Sequence, residues 1–193
     1  MNKYLINSKL KKIGFKKIGK NCKISKSIST YNLIGSLGDN IRIDDDVQLK
    51  GKIDLKSNVH IARGCTLSGA KHGIFVDDLV SLANYVQIYS SSDDYYSPSI
   101  AVATLNSEMR KKFSKVYEKK IKIGKCCIIG TLSVLLPGAI IGDFSSIGAL
   151  TIVNKKISKG FFFQSKAKEK LKKRDVKLFE RLYKGYKKLN ENK

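Results

Sequence analysis

Aliphatic residues recur every six positions along most of this chain. They run through Ile43, Leu49, Leu55, Ile61 and Leu67, then Val76, Leu82 and Ile88, and then unbroken through Ile123, Ile129, Leu135, Ile141, Ile147 and Val153. Four residues after many of them stands a small or β-branched partner: Val47, Ile53, Val59 and Cys65 early, and Cys127, Ser133, Ala139, Ser145 and Thr151 late. A weaker start is visible at Ile18 and Ile24, with Cys22 and Ile28 in the partner slots. A period of six is neither the 3.6 of a helix nor the 2 of a long strand. It fits a short strand plus a turn, repeated, with two inward positions per unit. Three such units close a triangular coil of about 18 residues, and coils stack at the strand spacing of roughly 4.8 Å, each covering the open edge of the one before. The aliphatic column is then the core. Gly124, Gly130, Gly142, Asp143 and Gly148 directly follow aliphatic positions, where the chain is expected to bend. The pattern predicts an all-β solenoid of short parallel strands over roughly 15–88 and 121–158.

The rest of the composition narrows the function. With 193 residues, 42% of them hydrophobic, the chain has material for one core. No apolar run approaches the ~20 residues of a membrane span, and the first residues lack the apolar stretch of a secretory signal. The net charge of +22 sits at the two ends: residues 1–28 carry nine Lys and no acid, and 151–193 carry fifteen Lys and Arg against four acids. Basic ends attract anionic partners. No helix-turn-helix, zinc-ligand or aromatic RNP pattern accompanies them, so nucleic acid is not the expected partner. Four cysteines, two of them adjacent, have no framework spacing, which points to a reducing cytoplasm. Cys22, Cys65 and Cys127 fall in inward slots, whereas Cys126 faces out. With two His and no Trp, no metal site is expected.

The repeat is interrupted at 89–120, and a long interruption in a solenoid loops outward and commonly carries function. It contains the run Ser92-Asp93-Asp94-Tyr95. Beyond about Ser165, Leu171, Leu178, Phe179, Leu182, Tyr183, Tyr186 and Leu189 follow helical spacing among lysines. This predicts a basic amphipathic C-terminal helix, packed against a solenoid or resting on an anionic membrane surface. The domain reading is a β-helical domain over 1–160, with the excursion 89–120, and a helical extension over 161–193.

The hexads, the segment VQIYSSSDDYYS (86–97) and the stretch 122–157 together resemble the hexapeptide-repeat acyltransferases, in particular the galactoside, maltose and lipopolysaccharide O-acetyltransferase subgroup. The resemblance covers about residues 40–175. It implies a left-handed parallel β-helix, a homotrimer, and acetyl-CoA bound as co-substrate in grooves between neighbouring subunits. The acyl group goes to a hydroxyl or amine of a sugar. The acceptor expected from it is a nucleotide-linked or lipid-linked saccharide of a surface polysaccharide, in the cytoplasm or at the inner face of the membrane.

The resemblance also implies site residues. The position of the family's catalytic His is held here by Asp93, and Asp93 with Asp94 is the candidate catalytic pair. Two adjacent carboxylates in a partly desolvated cleft can raise one pKa and make it a better base; the alternative is that they bond sugar hydroxyls or start a turn. Ser92 and Tyr95 are candidate substrate contacts. The CoA contacts map onto Thr131, Ala149, Asn154, Lys155 and Lys168. Leu132 and Leu150 stand where the family has small residues, 18 positions apart and hence stacked, and either crowd the pantetheine or flank it. The segment Gln164-Ser165-Lys166-Ala167-Lys168 lacks the family's Gly and Pro. These departures leave a second reading open: a catalytically degenerate solenoid acting as a binding or scaffold protein. His60 and His72 match no family site and are expected to be solvated or hydrogen-bonded.

Overall fold

The computed structural model describes residues 3–165 and, beyond them, 177, 178, 181, 184, 185 and 188. The chain divides into two compact units, one of Met1–Ser91 with Glu118–Lys166 and one of Ser92–Tyr117 with Ala167–Lys193.

The first unit is a left-handed parallel β-helix with three faces. The third face is the simplest: seven two-residue rungs stack in the order Lys23–Ile24, Arg42–Ile43, His60–Ile61, Ser81–Leu82, Ile128–Ile129, Ser146–Ile147 and Phe162–Phe163. The other two faces form one continuous sheet, because the strands Ser29–Leu37 and Gln48–Leu55 bend around a corner and contribute a rung to each. In the later coils Ile129 pairs with Ile147 and Leu135 with Val153, a spacing of 18 residues. Phe162–Phe163 adds a rung beyond the expected end at 158. The long interruption costs no register: Ile74–Val76 pairs directly with Ile121–Ile123. The excursion therefore replaces one corner of one coil.

The core is the predicted column. Every aliphatic residue of the six-residue series from Ile43 to Val153 is at most 2% exposed. Each such side chain removed from water contributes about 1.5–3 kcal/mol before conformational entropy is subtracted. The small slots are inward too, and their polar atoms bond to the adjacent coil. Ser133 Oγ donates to the Gly148 carbonyl at 2.9 Å, Ser145 Oγ to that of Ser158 at 2.9 Å, and Cys127 Sγ to that of Gly142 at 3.2 Å. Burial pushes the Cys65 thiol up to about 11. Cys126 is exposed and Cys22 half-buried.

The glycines have a different job from the one expected. Gly138 and Gly160 take the left-handed conformation at two late bends, but at four others the residue that does so is Cys126, Leu132, Phe144 or Leu150, with φ between 55° and 59°. The glycines two residues earlier provide clearance instead. A Cβ on Gly124 would lie 2.4 Å from Asp143 Oδ1, one on Gly130 2.4 Å from the Ala149 nitrogen, and one on Gly142 2.5 Å from the Lys159 nitrogen. The next coil crosses there with no room for a side chain.

The second unit is folded rather than an open loop. Asn106 caps the helix Ser107–Phe113, its Oδ1 accepting from the Met109 amide at 2.9 Å, and the helix buries Met109 and Phe113. The Ile100 amide donates to the Phe113 carbonyl, and the Lys115 amide to Ser99 Oγ. Positions 177, 178, 181, 184, 185 and 188 are helical, and a Cβ on Gly185 would lie 3.4 Å from the Phe113 ring. Here the tail packs on its own chain. The remainder of the expected C-terminal helix lies outside the described residues. No described helix is long and apolar enough to cross a membrane.

Candidate active site

Ser92, Asp93, Asp94 and Tyr95 are consecutive in the excursion, where the short strand Ser91–Asp93 pairs with Val116–Glu118. The two carboxylates are not equivalent. Asp94 Oδ1 accepts from the Tyr96 amide at 3.0 Å and the Ser97 amide at 2.9 Å. The Ser97 hydroxyl and backbone hold its carboxyl below the usual carboxylate range. That is turn-forming geometry, and it ties Asp94 to the shape of the loop. Asp93 is half-buried, and its carboxylate makes no hydrogen bond or ion pair with any described residue. Ser92 Oγ donates to the Asp93 carbonyl at 3.1 Å, and Tyr95 is 73% exposed. Of the four, Asp93 and Tyr95 have side chains free to meet a ligand.

The residues mapped to CoA lie at two corners of the β-helix. Thr131 and Ala149 stack in successive coils of one corner, linked by the Leu150 amide donating to the Thr131 carbonyl at 2.9 Å. Thr131 Oγ1 donates to the Asn84 carbonyl at 2.7 Å, so its hydroxyl braces the corner. Leu132 and Leu150 stand outward there, 52% and 70% exposed. Asn154 and Lys155 are exposed at the following corner, with Lys155 Nζ 4.6 Å from the centre of the Phe163 ring. Lys168 lies outside the described residues.

Two features escaped the sequence reading. Along the stacked rungs Ile74–Val76, Ile121–Ile123 and Ile140–Ile141 a groove of about 600 Å³ has Val76, Ile123 and Ile141 in its floor, Phe75 and Ile140 beside them, and Lys56, Lys120 and Lys122 along its rim. Lys56 is paired with Asp77 at 3.1 Å, whereas Lys120 and Lys122 have no ion-pair partner among the described residues. Phe75, Lys122 and Ile140 occupy outward positions of stacked rungs, so the six-residue numbering could have grouped them. The other feature is a polar cluster around Glu118, described below. His60 is hydrogen-bonded, as expected: its Nε2 lies 2.9 Å from Asp44 Oδ2, while Arg42 Nε donates to Asp44 Oδ1 at 2.7 Å. Among the described residues no three His, Cys, Asp or Glu gather as a metal-ion site.

No protein-family profile matches the chain. A dTDP-4-amino-4,6-dideoxy-D-glucose acyltransferase of Escherichia coli is 35% identical over 156 residues, 79% of each chain. Among solved structures, AntD, an N-acyltransferase from Bacillus cereus, superposes with a TM-score of 0.78 in complex with dTDP and 3-hydroxybutyryl-CoA, at 31% identity over 98% of this chain and 100% of that one. A variant of it in complex with dTDP-4-amino-4,6-dideoxyglucose and coenzyme A gives a TM-score of 0.79 at 31% identity, over 97% of this chain and 100% of that one. The chain belongs to the hexapeptide-repeat, left-handed β-helix acyltransferases that move acyl groups from CoA thioesters to sugars. The scaffold reading is not favoured by these relatives; AntD is named an N-acyltransferase and the Escherichia coli relative an acyltransferase of an amino sugar, and neither is named for O-acetylation.

Proposed function

We propose that this enzyme N-acylates the amine of a dTDP-linked 4-amino-4,6-dideoxy sugar, with an acyl-CoA such as acetyl-CoA as donor. The observation that carries this reading is the 35% identity, over 79% of each chain, to an enzyme named for that acceptor. The chemistry suits the site. The amine nitrogen attacks the thioester carbonyl carbon, an N–C bond forms, the C–S bond breaks, and CoA leaves as the thiolate. The sugar ammonium must first shed a proton to become a nucleophile, and the unengaged Asp93 carboxylate is the group we assign to receive it. An amine is a good nucleophile once neutral, so a carboxylate suffices where a hydroxyl acceptor would need a stronger base.

Both substrates carry a pyrophosphate, and lysines meet phosphates as point charges. In this reading Thr131, Ala149, Asn154, Lys155 and Lys168 serve CoA, and Lys120 and Lys122 on the groove rim are the free cations for a second phosphorylated group. The assembly is a homotrimer. Support comes from the apolar side chains on and beside the third face, where Ile128, Leu132, Phe144, Leu150, Ile152, Phe161 and Phe162 are between 49% and 70% exposed; exposed apolar residues in such number mark an interface. Calorimetric titration with CoA and with dTDP, at two salt concentrations, tests the assignment. Lys155→Ala should weaken CoA, and Lys122→Ala should weaken one of the two ligands. Equal affinities in all three proteins would remove these lysines from the site.

A further inference from the structure

The excursion leaves the β-helix at Ser90–Ser91 and returns at Glu118–Lys119, and its backbone is held at that root. The Ser90 amide donates to the Ser68 carbonyl at 2.9 Å, the Lys119 amide to the Ser90 carbonyl at 3.0 Å, and the Ile121 amide to the Gly73 carbonyl at 3.0 Å. Glu118 adds the side-chain tie. Its Oε2 lies 3.4 Å from Lys71 Nζ and 3.5 Å from His72 Nε2, both on the corner between Thr66–Ser68 and Ile74–Val76. Its Oε1 accepts from Ser91 Oγ at 3.4 Å. One carboxylate, with a side chain only 27% exposed, thus joins the outgoing strand, the returning strand and the coil beneath them. The charged groups around His72 are Glu118, Lys71 and Lys52, whose stem passes Gly73. Lys71 and His72 both lean on the single acid, whereas Lys52 Nζ lies 5.2 Å from the centre of the Phe75 ring.

We infer that Glu118 is a positioning residue: it clamps both ends of the excursion to the Lys71–His72 corner, and so fixes the strand Ser91–Asp93 that carries Asp93. The inference rests on the proposed role of Asp93, but the clamp itself is a statement about the fold. Side chains that fix a reacting group matter because displacements of an ångström at the site are costly to turnover. The contacts run through Ser91, two residues ahead of Asp93 in the same strand, so losing them frees the strand without touching the rungs of the β-helix. A clamp of this kind acts on turnover and leaves CoA binding alone. Its members act through one carboxylate and are therefore not additive.

The test has an arm that needs no substrate. In Glu118→Ala the Asp94 amide, which donates to the Lys115 carbonyl, should exchange with deuterium at least tenfold faster, while the Ile123 and Ile141 rungs keep their protection. In the acyl-transfer assay Glu118→Ala should lower kcat about tenfold with KM for the acyl-CoA within twofold, and Glu118→Gln, which keeps an acceptor for Ser91, should recover part of it. Adding Lys71→Met or His72→Gln to Glu118→Ala should cost nothing more. Unchanged exchange at Asp94 overturns the clamp, whatever the activity. Faster exchange with kcat unchanged overturns the positioning role, and loss of protection across the rungs shows a general structural role in its place. A wild type inactive on every amine-bearing dTDP-sugar refutes the proposed function and with it the positioning role; the exchange arm still decides the clamp.

Discussion

Gly130 is where the stacking of coils can be tested with a single methyl group. A Cβ there would sit 2.4 Å from the Ala149 nitrogen and 2.7 Å from the Gly148 carbonyl carbon, about 1 Å inside the ordinary contact distance of 3.4–4 Å. Both obstacles are backbone, so neither can rotate away. Gly130→Ala must push the coils apart between two bonds that hold them, Gly130 N to Ile147 O at 2.8 Å and Leu150 N to Thr131 O at 2.9 Å. Overpacking costs about 1–3 kcal/mol, and weakening two backbone hydrogen bonds adds roughly 0.5–1.5 kcal/mol each. At about 2–4 °C per kcal/mol for a domain of this size, Tm should fall by roughly 10 °C. Gly160 is the control: its φ is +78° and nothing lies within 4 Å of a Cβ, so alanine there meets only the left-handed strain of about 1–2 kcal/mol. Leu150→Gly, at a φ of 56°, should lose little, because the strain it relieves offsets the entropy of glycine. Thermal unfolding followed by circular dichroism ranks the three. If Gly130→Ala loses no more than Gly160→Ala, the clearance argument is wrong.

Three further outcomes follow from the geometry. Asp93→Asn should cut kcat about 10²–10⁴-fold with CoA affinity unchanged, whereas Asp94→Asn, at the carboxylate committed to its own turn, should cost less; equal losses in steady-state kinetics would contradict the division of roles. At pH 8 a thiol reagent should modify exposed Cys126 in the native protein and leave Cys65, whose thiol burial pushes up to about 11, until unfolding; mass mapping of the labelled cysteines decides. Four of the described carboxyls sit below their ordinary value: Asp45 through the Ser25 hydroxyl and Lys3, Asp94 through Ser97, Asp44 because bonds from His60 and Arg42 outweigh its burial, and Asp77 because the Asp78 amide and Lys56 outweigh its own. The stability they give is complete above about pH 4 and is lost as pH falls through their lowered native values, so Tm should drop below pH 4 and drop less in Asp45→Asn.

The solenoid was legible because its core is periodic: one inward aliphatic per six residues is a one-dimensional signal, and it places Ile129, Leu135 and Ile141 in the core from spacing alone. The function of the glycines was not legible. Whether Gly130 serves a bend or a close crossing depends on what the coil 18 residues later does, and the left-handed turns fell to Leu132, Phe144 and Leu150, which no turn preference selects. The excursion could be bounded, and its Asp-Asp pair noticed, but the split between Asp93 and Asp94 rests on where the Tyr96 and Ser97 amides point. Glu118 was invisible for the same reason. Its partners, Lys71, His72 and Ser91, lie up to 47 positions away, and only the register Ile74–Val76 to Ile121–Ile123 brings them to one corner. The six-residue pattern belongs to the scaffold and not to the acceptor, so it could not narrow the acceptor beyond a sugar.

The central claim is transfer to nitrogen, and the product of one reaction tests it. The enzyme, given acetyl-CoA and dTDP-4-amino-4,6-dideoxyglucose, should release one free thiol for each dTDP-sugar that gains an acetyl group, and the two-dimensional NMR spectrum of that product should show an amide proton coupled to the proton on C4. An acetyl ester on a sugar hydroxyl with the amine left free, or thiol release without an acylated sugar, would contradict it.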